Sequence, residues 1–144
     1  MTTARDIMHG GAQCVRADQS LADAARMMRD MGVGALPICG ADQKLTGIIT
    51  DRDIVVRCIA EGKDPAMMMA KELGGHLHCV RADDDIDMVL KKMEQHQIRR
   101  IPVIHDEQLV GMISEADIAM GHREGNHLTD RQIVEFMDSV YMKR

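Results

Sequence analysis

The sequence predicts an α+β fold made of two tandem β-α-β-β-α repeats packed about a pseudo-twofold axis, followed by a C-terminal helix. The main observation is an internal repeat: the pentapeptide Cys-Val-Arg-Ala-Asp starts at Cys14 and recurs unchanged from Cys79. Apolar residues then follow strand and helix spacing in the same order in both copies. A final stripe from Ile133 to Tyr141 has helical spacing.

Within the first copy, each element has a local signal. Ser20 followed by Asp23 predicts a helix start, and Gly32 predicts the end of that helix. Ala35–Cys39 and Leu45–Thr50 are apolar runs around a polar turn, which predicts a β-hairpin. The pattern turns helical again after Thr50.

The second copy repeats this pattern with one adjustment. Gly47–Ile54 aligns with Gly111–Ile118 at a spacing one residue shorter than the pentapeptides show, which predicts a one-residue deletion in a surface turn. Ala4–Ile7 resembles Ala70–Leu73, so a short lead-in segment precedes each copy. The predicted boundaries are 1–62 for the first repeat, 63–75 for a connector, 76–122 for the second repeat and 123–144 for a C-terminal helical extension.

Composition limits the classes of partner. The chain has 144 residues, a formal net charge of -5, one Phe, one Tyr and no Trp. Few aromatic side chains and an acidic balance argue against nucleic acid, and any pocket is expected to be aliphatic. No apolar run is long enough to span a membrane, and Arg5 and Asp6 interrupt the N-terminus. We therefore expect a cytoplasmic protein with no direct nucleic-acid or membrane partner.

Catalytic and metal signals are weak. No nucleophile stands beside a base and no phosphate-gripping glycine loop occurs, so the sequence predicts a binder and not an enzyme. His76, His78 and Cys79 are the closest-spaced metal candidates, but no second ligand pair accompanies them, and no metal site is predicted. Cys14 and Cys39 fall on neighbouring strands; reduced thiols are the expectation, and a disulfide stays open.

The repeated chemistry lies where a strand meets a helix. Thr50-x-x-Asp53 and Ser114-x-x-Asp117 have the spacing of a helix capping box, which needs no ligand. A carboxylate at that place can also accept two hydrogen bonds from a sugar diol, each worth about 1.5 to 3 kcal/mol. A helix start also points free N–H groups at any phosphate placed there. Both interpretations remain open.

The pattern Gly-apolar-apolar-Thr/Ser-x-x-Asp-apolar, behind a hairpin containing apolar-Pro-apolar, resembles the cystathionine-β-synthase (CBS) domain. Two copies resemble a Bateman module, over roughly Ala4 to Ala119. The segments Thr2–Met8, Gly34–Gly40 and Thr50–Val55 are similar to free-standing members that carry no fused enzyme. The resemblance implies AMP, ADP, ATP or S-adenosylmethionine as a regulatory ligand in clefts between the copies. It also implies a homodimer and a signalling or stress-response role toward an unknown regulated protein.

The resemblance assigns roles to particular residues. Asp53 and Asp117 are expected on the ribose hydroxyls, with Thr50 and Ser114 near phosphate. We expect the adenine ring among small and aliphatic residues, namely Cys14, Val33, Gly34, Ala35, Pro37, Cys79, Ile101 and Pro102.

The two copies differ where phosphates would lie. Arg99 and Arg100 stand where the first copy has Gly34 and Ala35, so we expect unequal sites with Arg99 or Arg100 as the phosphate clamp. Arg52 is a further candidate. The competing interpretation is that both arginines of the second copy are solvated surface charges.

A different class of function is also open. The chain would then be a ligand-free interaction or dimerisation module, responsive to redox state or zinc, with the Ile133–Tyr141 stripe as its contact surface. Such a module would show no thermal shift with any adenosyl compound.

Overall fold

The computed structural model describes residues 2–74, 77–121 and 128–141. It divides into two units: the first unit is Gln13–His78, and the second unit joins Met1–Ala12 to Cys79–Arg144. This spatial grouping differs from the sequence boundaries, because the lead-in of each copy folds with the other copy. Gly75, His76 and His122, at predicted boundaries, lie outside the described residues.

The elements follow the predicted order. The strands are β1 (His9–Gly10), β2 (Val15–Arg16), β3 (Ala35–Cys39), β4 (Leu45–Thr50), β5 (Val80–Arg81), β6 (Arg100–His105) and β7 (Gln108–Ser114). The helices are α1 (Ala4–Ile7), α2 (Leu21–Met31), α3 (Asp51–Ile54), α4 (Ile86–His96), α5 (Glu115–Met120) and α6 (Asp130–Tyr141). Short 3₁₀ turns lie at Ala41–Gln43 and Ala70–Glu72, and a π-helical turn at Val55–Ile59 continues α3. Each repeat is therefore β-α-β-β-α, which confirms the sequence prediction.

The first unit is a three-stranded sheet in the order β2-β3-β4, parallel and then antiparallel. Helix α2 starts where predicted, because the Ser20 side chain accepts a hydrogen bond from the Asp23 amide at 3.1 Å. It ends at Gly32, whose φ of 67° is a left-handed conformation that glycine adopts without strain. The core is aliphatic and consists of Val15, Leu21, Ala24, Met28, Leu36, Ile38, Ile49, Ile54, Cys58, Ala70 and Leu73.

The second unit has a four-stranded sheet in the order β1-β7-β6-β5. Helix α4 starts at the Asp85 cap, whose side chain accepts from the Asp87 amide at 2.8 Å. Helix α6 contributes Phe136 and Val140, 0% and 3% exposed, to the same core. The predicted C-terminal helix is thus confirmed, and most of its apolar stripe is used inside this unit.

The lead-in segments exchange partners between the copies. The amides of Ala4 and Arg5 donate to carbonyls of Asp84 and Ala82 at 2.9 and 3.0 Å, within the second unit. The Ala70 amide donates to the Gln19 carbonyl at 2.8 Å, within the first unit. The likeness of the two segments is therefore structural as well as sequential. Each precedes one copy in the sequence and packs against the other.

The predicted deletion lies in the hairpin turn. Cys39 pairs with Leu45 across residues 40–44, whereas Ile104 pairs with Leu109 across residues 105–108, one residue fewer. Both hairpins carry a register shift just before this point. Among the described ranges, no helix has both the length and the apolar character to cross a bilayer.

Candidate functional site

The first hydroxyl–carboxylate corner lies where β4 runs into α3. The Thr50 amide donates to Asp53 Oδ2 at 3.0 Å, and the Asp53 amide donates to Thr50 Oγ1 at 3.1 Å. This is a reciprocal capping box. Both side chains are only partly buried. The cap therefore forms at the protein surface and uses one of the two carboxylate oxygens.

The second corner repeats this arrangement between β7 and α5 with one addition. Asp117 Oδ2 accepts from the Ser114 amide at 2.8 Å and from Ser114 Oγ at 2.9 Å. His9 Nδ1, carried by β1, hydrogen-bonds the same oxygen at 2.8 Å. All of these bonds fall on Oδ2, and Oδ1 makes none within the described part of the chain. The carboxylate thus caps α5 and keeps one oxygen for another donor.

Strand register places unlike residues beside the two corners. In the second unit Arg100 pairs with Ser114, and at the matching position of the first unit Ala35 pairs with Thr50. Directly opposed residues on antiparallel strands have Cβ atoms about 4.5–5.5 Å apart, so Arg100 starts next to the Ser114 hydroxyl. The two corners therefore differ in the residue that the sheet places beside them.

Arg99 occupies a defined position. Its Nε lies 3.9 Å from Glu115 Oε2, and its guanidinium carbon lies 4.4 Å from the centre of the Tyr141 ring. The Tyr141 hydroxyl donates to Glu115 Oε2. The hydrogen bond to Glu115, followed by desolvation, raises the pKa of the Tyr141 phenol, while Arg99 and Arg100 act in the opposite direction. Arg99 is thus held by α5 and α6 and is not a solvated surface charge.

Arg52 is exposed beside Asp53. Its amide donates to Asp51 Oδ1 at 2.8 Å. Its guanidinium makes no ion pair with any residue that the structure describes. It therefore differs from Arg99 in having no fixed partner.

The predicted adenine-contact residues fall into two groups, one in each unit. Cys14, Val33, Gly34, Ala35 and Pro37 belong to the first unit, and Cys79, Ile101 and Pro102 to the second. Val33 is 38% exposed, whereas Ile101 is fully buried in the core of the second unit. The Cys79 carbonyl accepts from Lys92 Nζ at 2.7 Å.

All four cysteines are free thiols. The Cys14 thiol donates to Gln43 Oε1 at 3.5 Å, while Cys39 is 2% exposed. Burial, and then the neighbouring Cys14 sulfur, raise the pKa of the Cys39 thiol to about 12. The two thiols are therefore neighbours, and Cys39 stays protonated at neutral pH.

The structure describes only part of the candidate metal-binding set. His76 lies outside the described residues, and His78 and Cys79 are half-buried. Across residues 2–74, 77–121 and 128–141, no group of three His, Cys, Asp or Glu side chains comes together as a metal site.

One cavity lies away from both corners. It measures about 530 Å³ and is lined by residues at the hairpin end of β6, among them Arg81, Asp84, His105 and Glu107. The acidic lining of this cavity does not favour a phosphate. Arg100 stands at the opposite end of the same strand.

The sequence patterns do not predict the contacts of three residues near the second corner: His9, Glu115 and Tyr141. The likeness of Ala4–Ile7 to Ala70–Leu73 revealed the lead-in segments but not that β1 would pair with β7. Tyr141 belongs to the predicted helical stripe, and its hydroxyl partner depends on how α6 packs. No local signal marks either contact.

Two β-α-β-β-α repeats, each with a hydroxyl–carboxylate corner between its last strand and helix, define a pair of CBS domains. Residues 4–59 and 68–121 each match the CBS domain, and the chain belongs to that family. The predicted family and fold class are thereby confirmed.

Individual proteins of similar sequence support this family assignment. The segments Thr2–Met8, Gly34–Gly40 and Thr50–Val55 predicted likeness to the mycobacterial hypoxic response protein, and this is confirmed. The chain is 46% identical to hypoxic response protein 1 of Mycobacterium tuberculosis over 141 residues, covering 97% of this chain and 94% of that protein. It is 34% identical to YlbB of Bacillus subtilis, covering 90% and 91%.

A solved structure of hypoxic response protein I with two coordinated zinc ions is also similar. It superposes with a TM-score of 0.78 at 50% identity, covering 82% of this chain and 97% of that one.

Proposed function

We propose that this chain is a regulatory sensor whose CBS repeats bind an adenosine-containing ligand: AMP, ADP, ATP or S-adenosylmethionine. The observation that carries the proposal is the repeated corner, in which a partly buried aspartate caps a helix with one oxygen and has a second oxygen that accepts no hydrogen bond from any described residue. A ribose diol offers two hydroxyl donors to such a carboxylate, and charge-assisted bonds of this kind are among the stronger ones.

The second repeat is the better phosphate site in this proposal. Arg100 lies opposite Ser114 in the sheet, while Ala35 takes that place in the first repeat. Arg100 makes no ion pair within the described residues, whereas Arg99 is engaged by Glu115 and Tyr141. We therefore assign the role of phosphate clamp to Arg100. The first repeat, which has Ala35 at this position, would contact only the ribose and the base of a ligand.

The test is a thermal-shift and affinity screen with adenosine, AMP, ADP, ATP and S-adenosylmethionine. Arg100→Ala should weaken ATP at least about tenfold, the scale of one lost charge-assisted bond, and leave adenosine unchanged. Arg81→Ala is the matched control, since Arg81 is exposed at the far end of the same sheet. Equal loss of ATP and adenosine in Arg100→Ala would contradict the clamp, and no shift with any compound would contradict the sensor.

Association into a homodimer forms part of the same proposal. Val56 and Met120 stand at matching positions of the two repeats and are 44% and 41% exposed. Val55 and Ile59, on the π-helical turn, are 57% and 52% exposed beside Val56. Exposed apolar residues at equivalent positions favour contact with a second copy. Sedimentation should give a dimer that Val56→Glu with Met120→Glu converts to monomer; an unchanged dimer would locate the interface elsewhere.

The rival function, a module that binds no nucleotide, has a distinct signature in the same screen. The similar hypoxic response protein structure contains zinc, so Zn²⁺ belongs in the screen as a separate arm. A shift with Zn²⁺ and none with the adenosyl compounds would favour the rival.

A further inference from the structure

Arg99, Glu115 and Tyr141 form a connected cluster, here named the Arg99 latch. The guanidinium lies over the Tyr141 ring at 4.4 Å, and the Tyr141 hydroxyl donates to the carboxylate of Glu115. The ion pair between Arg99 Nε and Glu115 Oε2 is loose, at 3.9 Å. Arg99 Nη2 is buried and has no hydrogen-bond partner within the described part of the chain. A buried guanidinium N–H without a partner costs free energy, so Arg99 would gain from a better acceptor.

The latch borders the second corner on both sides. Arg99 precedes Arg100, and Glu115 follows Ser114. The Glu115 amide donates to the Arg99 carbonyl at 2.9 Å, which ties the two segments together. The first repeat has the same backbone bond, from the Asp51 amide to the Gly34 carbonyl at 2.9 Å, but glycine stands where the second repeat has arginine. The latch is therefore specific to the second repeat.

We propose that phosphate bound at the second corner draws Arg99 away from Glu115 and Tyr141, so that the last turn of α6 reports whether a phosphate is present. This inference rests on the proposed function and adds its readout. A phosphate offers a guanidinium two parallel charge-assisted bonds, which the loose pair with Glu115 does not. Losing Arg99 removes the cation–π contact from Tyr141 and shifts α6 toward a frayed end.

The rest of α6 is held independently. Phe136 is buried in the core, and Gln132 Nε2 donates to Asp87 Oδ1 of α4 at 2.8 Å. The loosening is therefore confined to the end of the helix around Tyr141. A ligand can shift the equilibrium between the latched and unlatched forms only if it binds one form more tightly than the other. Phosphate would bind the unlatched form more tightly, because Arg99 is then available to contact it.

Amide hydrogen exchange of residues 138–141 tests the proposal, with ATP and adenosine as probes and calorimetry measuring their binding separately. Saturating ATP should speed exchange of these amides by about two- to fivefold, the range of one cation–π contact, and adenosine should not. In Arg99→Ala the exchange should already be fast, and ATP should add nothing. Arg131→Ala is the matched control, because the exposed Arg131–Glu135 pair lies on the same helix outside the latch.

The Arg99 latch can also be tested without a ligand, by following the ionisation of the Tyr141 phenol. Tyr141 is the sole tyrosine of the chain, so absorbance at 295 nm follows its phenol alone. The groups that face this phenol are Glu115, Arg99 and Arg100, and the hydrogen bond to Glu115 raises its pKa. Glu115→Gln should bring the phenol pKa down toward its ordinary value. An unchanged titration would overturn the latch, even if Arg99→Ala did not fold.

The remaining outcomes separate the two proposals. ATP binding without faster exchange at residues 138–141 overturns the coupling and leaves the proposed function intact. Equal acceleration by adenosine overturns the role of phosphate. Absence of ATP binding overturns the coupling, and absence of binding by every adenosyl compound overturns the proposed function as well.

Discussion

Asp53 and Asp117 show how one side chain can stabilise a helix and still offer a binding group. Each accepts the amide of the residue three positions earlier through Oδ2, which satisfies a donor that the helix leaves unpaired. A carboxylate has two oxygens, so the capping and the ligand interpretations are compatible. Asp117 Oδ2 takes part in more hydrogen bonds than Asp53 Oδ2, because His9 Nδ1 hydrogen-bonds the same atom.

Asparagine at these positions separates the two roles, because its side-chain oxygen still caps the helix while the charge is lost. Asp53→Ala should lower stability by about 1 kcal/mol, or roughly 2–4 °C in Tm. Asp53→Asn should lose less than half of that. Thermal unfolding of both variants beside the wild type checks this. Equal losses would mean that charge, and not the cap, stabilises α3.

The Cys39 thiol predicts a pH dependence of folding. Its folded pKa, about 12, lies above that of an unfolded thiol, about 8.5. The protonated form is therefore favoured by folding, and this stabilisation is complete below pH 8.5 and is lost as pH rises toward 12. Between pH 8 and 10.5 the free energy of unfolding should fall more steeply in the wild type than in Cys39→Ala. Urea unfolding curves that stay parallel across this range would contradict the assignment.

At the scale of elements, the second unit depends on the close approach of the lead-in strand β1 to β7. A Cβ added to Gly111 would lie 2.6 Å from Met8 Sδ and 2.8 Å from the His9 carbonyl. Since the carbonyl belongs to the backbone of β1, it moves only if the strand moves. The position also carries His9 toward Asp117, so the glycine supports the second corner indirectly.

Gly47 offers a matched comparison, since it aligns with Gly111 in the first repeat and its added Cβ would meet nothing closer than 3.5 Å. Gly111→Ala should cost about 1–3 kcal/mol of stability, the range for overpacking, and Gly47→Ala less than about 1 kcal/mol. Chemical denaturation of the two variants measures the difference. Similar losses of stability in the two variants would mean that β1 moves to make room for the added methyl group.

The sequence is sufficient for elements whose signals are local. Ser20 and Gly32 delimit α2, and the polar turn between Cys39 and Leu45 delimits the hairpin, because caps and turns depend on neighbouring residues. The partner of each lead-in segment could not be predicted in this way. That partner depends on packing between residues far apart along the chain, such as Ala4 with Asp84 and Ala70 with Gln19.

In the candidate site, too, some features follow from local sequence and others depend on packing. The corner residues follow from repeat spacing, and the inequality between the copies follows from Arg99 and Arg100. The contact between Arg99 and the Tyr141 ring cannot be predicted from sequence, because it depends on where α6 packs. Sequence therefore identifies the candidate binding groups, and the structure distinguishes the surroundings of Arg100 from those of Arg99.

For the whole molecule, duplication supplies two corners and divergence makes them unequal. Both repeats keep the aspartate that is expected to contact ribose and the hydroxyl that is expected near phosphate. Among the residues that the structure describes, only the second corner adds a guanidinium pair, a histidine and the contact with α6. We therefore expect a molecule in which one repeat distinguishes ligands by phosphate and the other does not.

The most direct measurement is calorimetric titration of AMP and ATP into the wild type and into the double variant Asp53→Asn with Asp117→Asn. Because asparagine keeps both caps, the double variant should unfold within a few degrees of the wild type. Its affinity should fall at least about tenfold, since each site loses a charge-assisted bond. Nucleotide binding that is equally tight in the folded double variant, or absent from the wild type, would contradict the claim that these carboxylates bind the sugar.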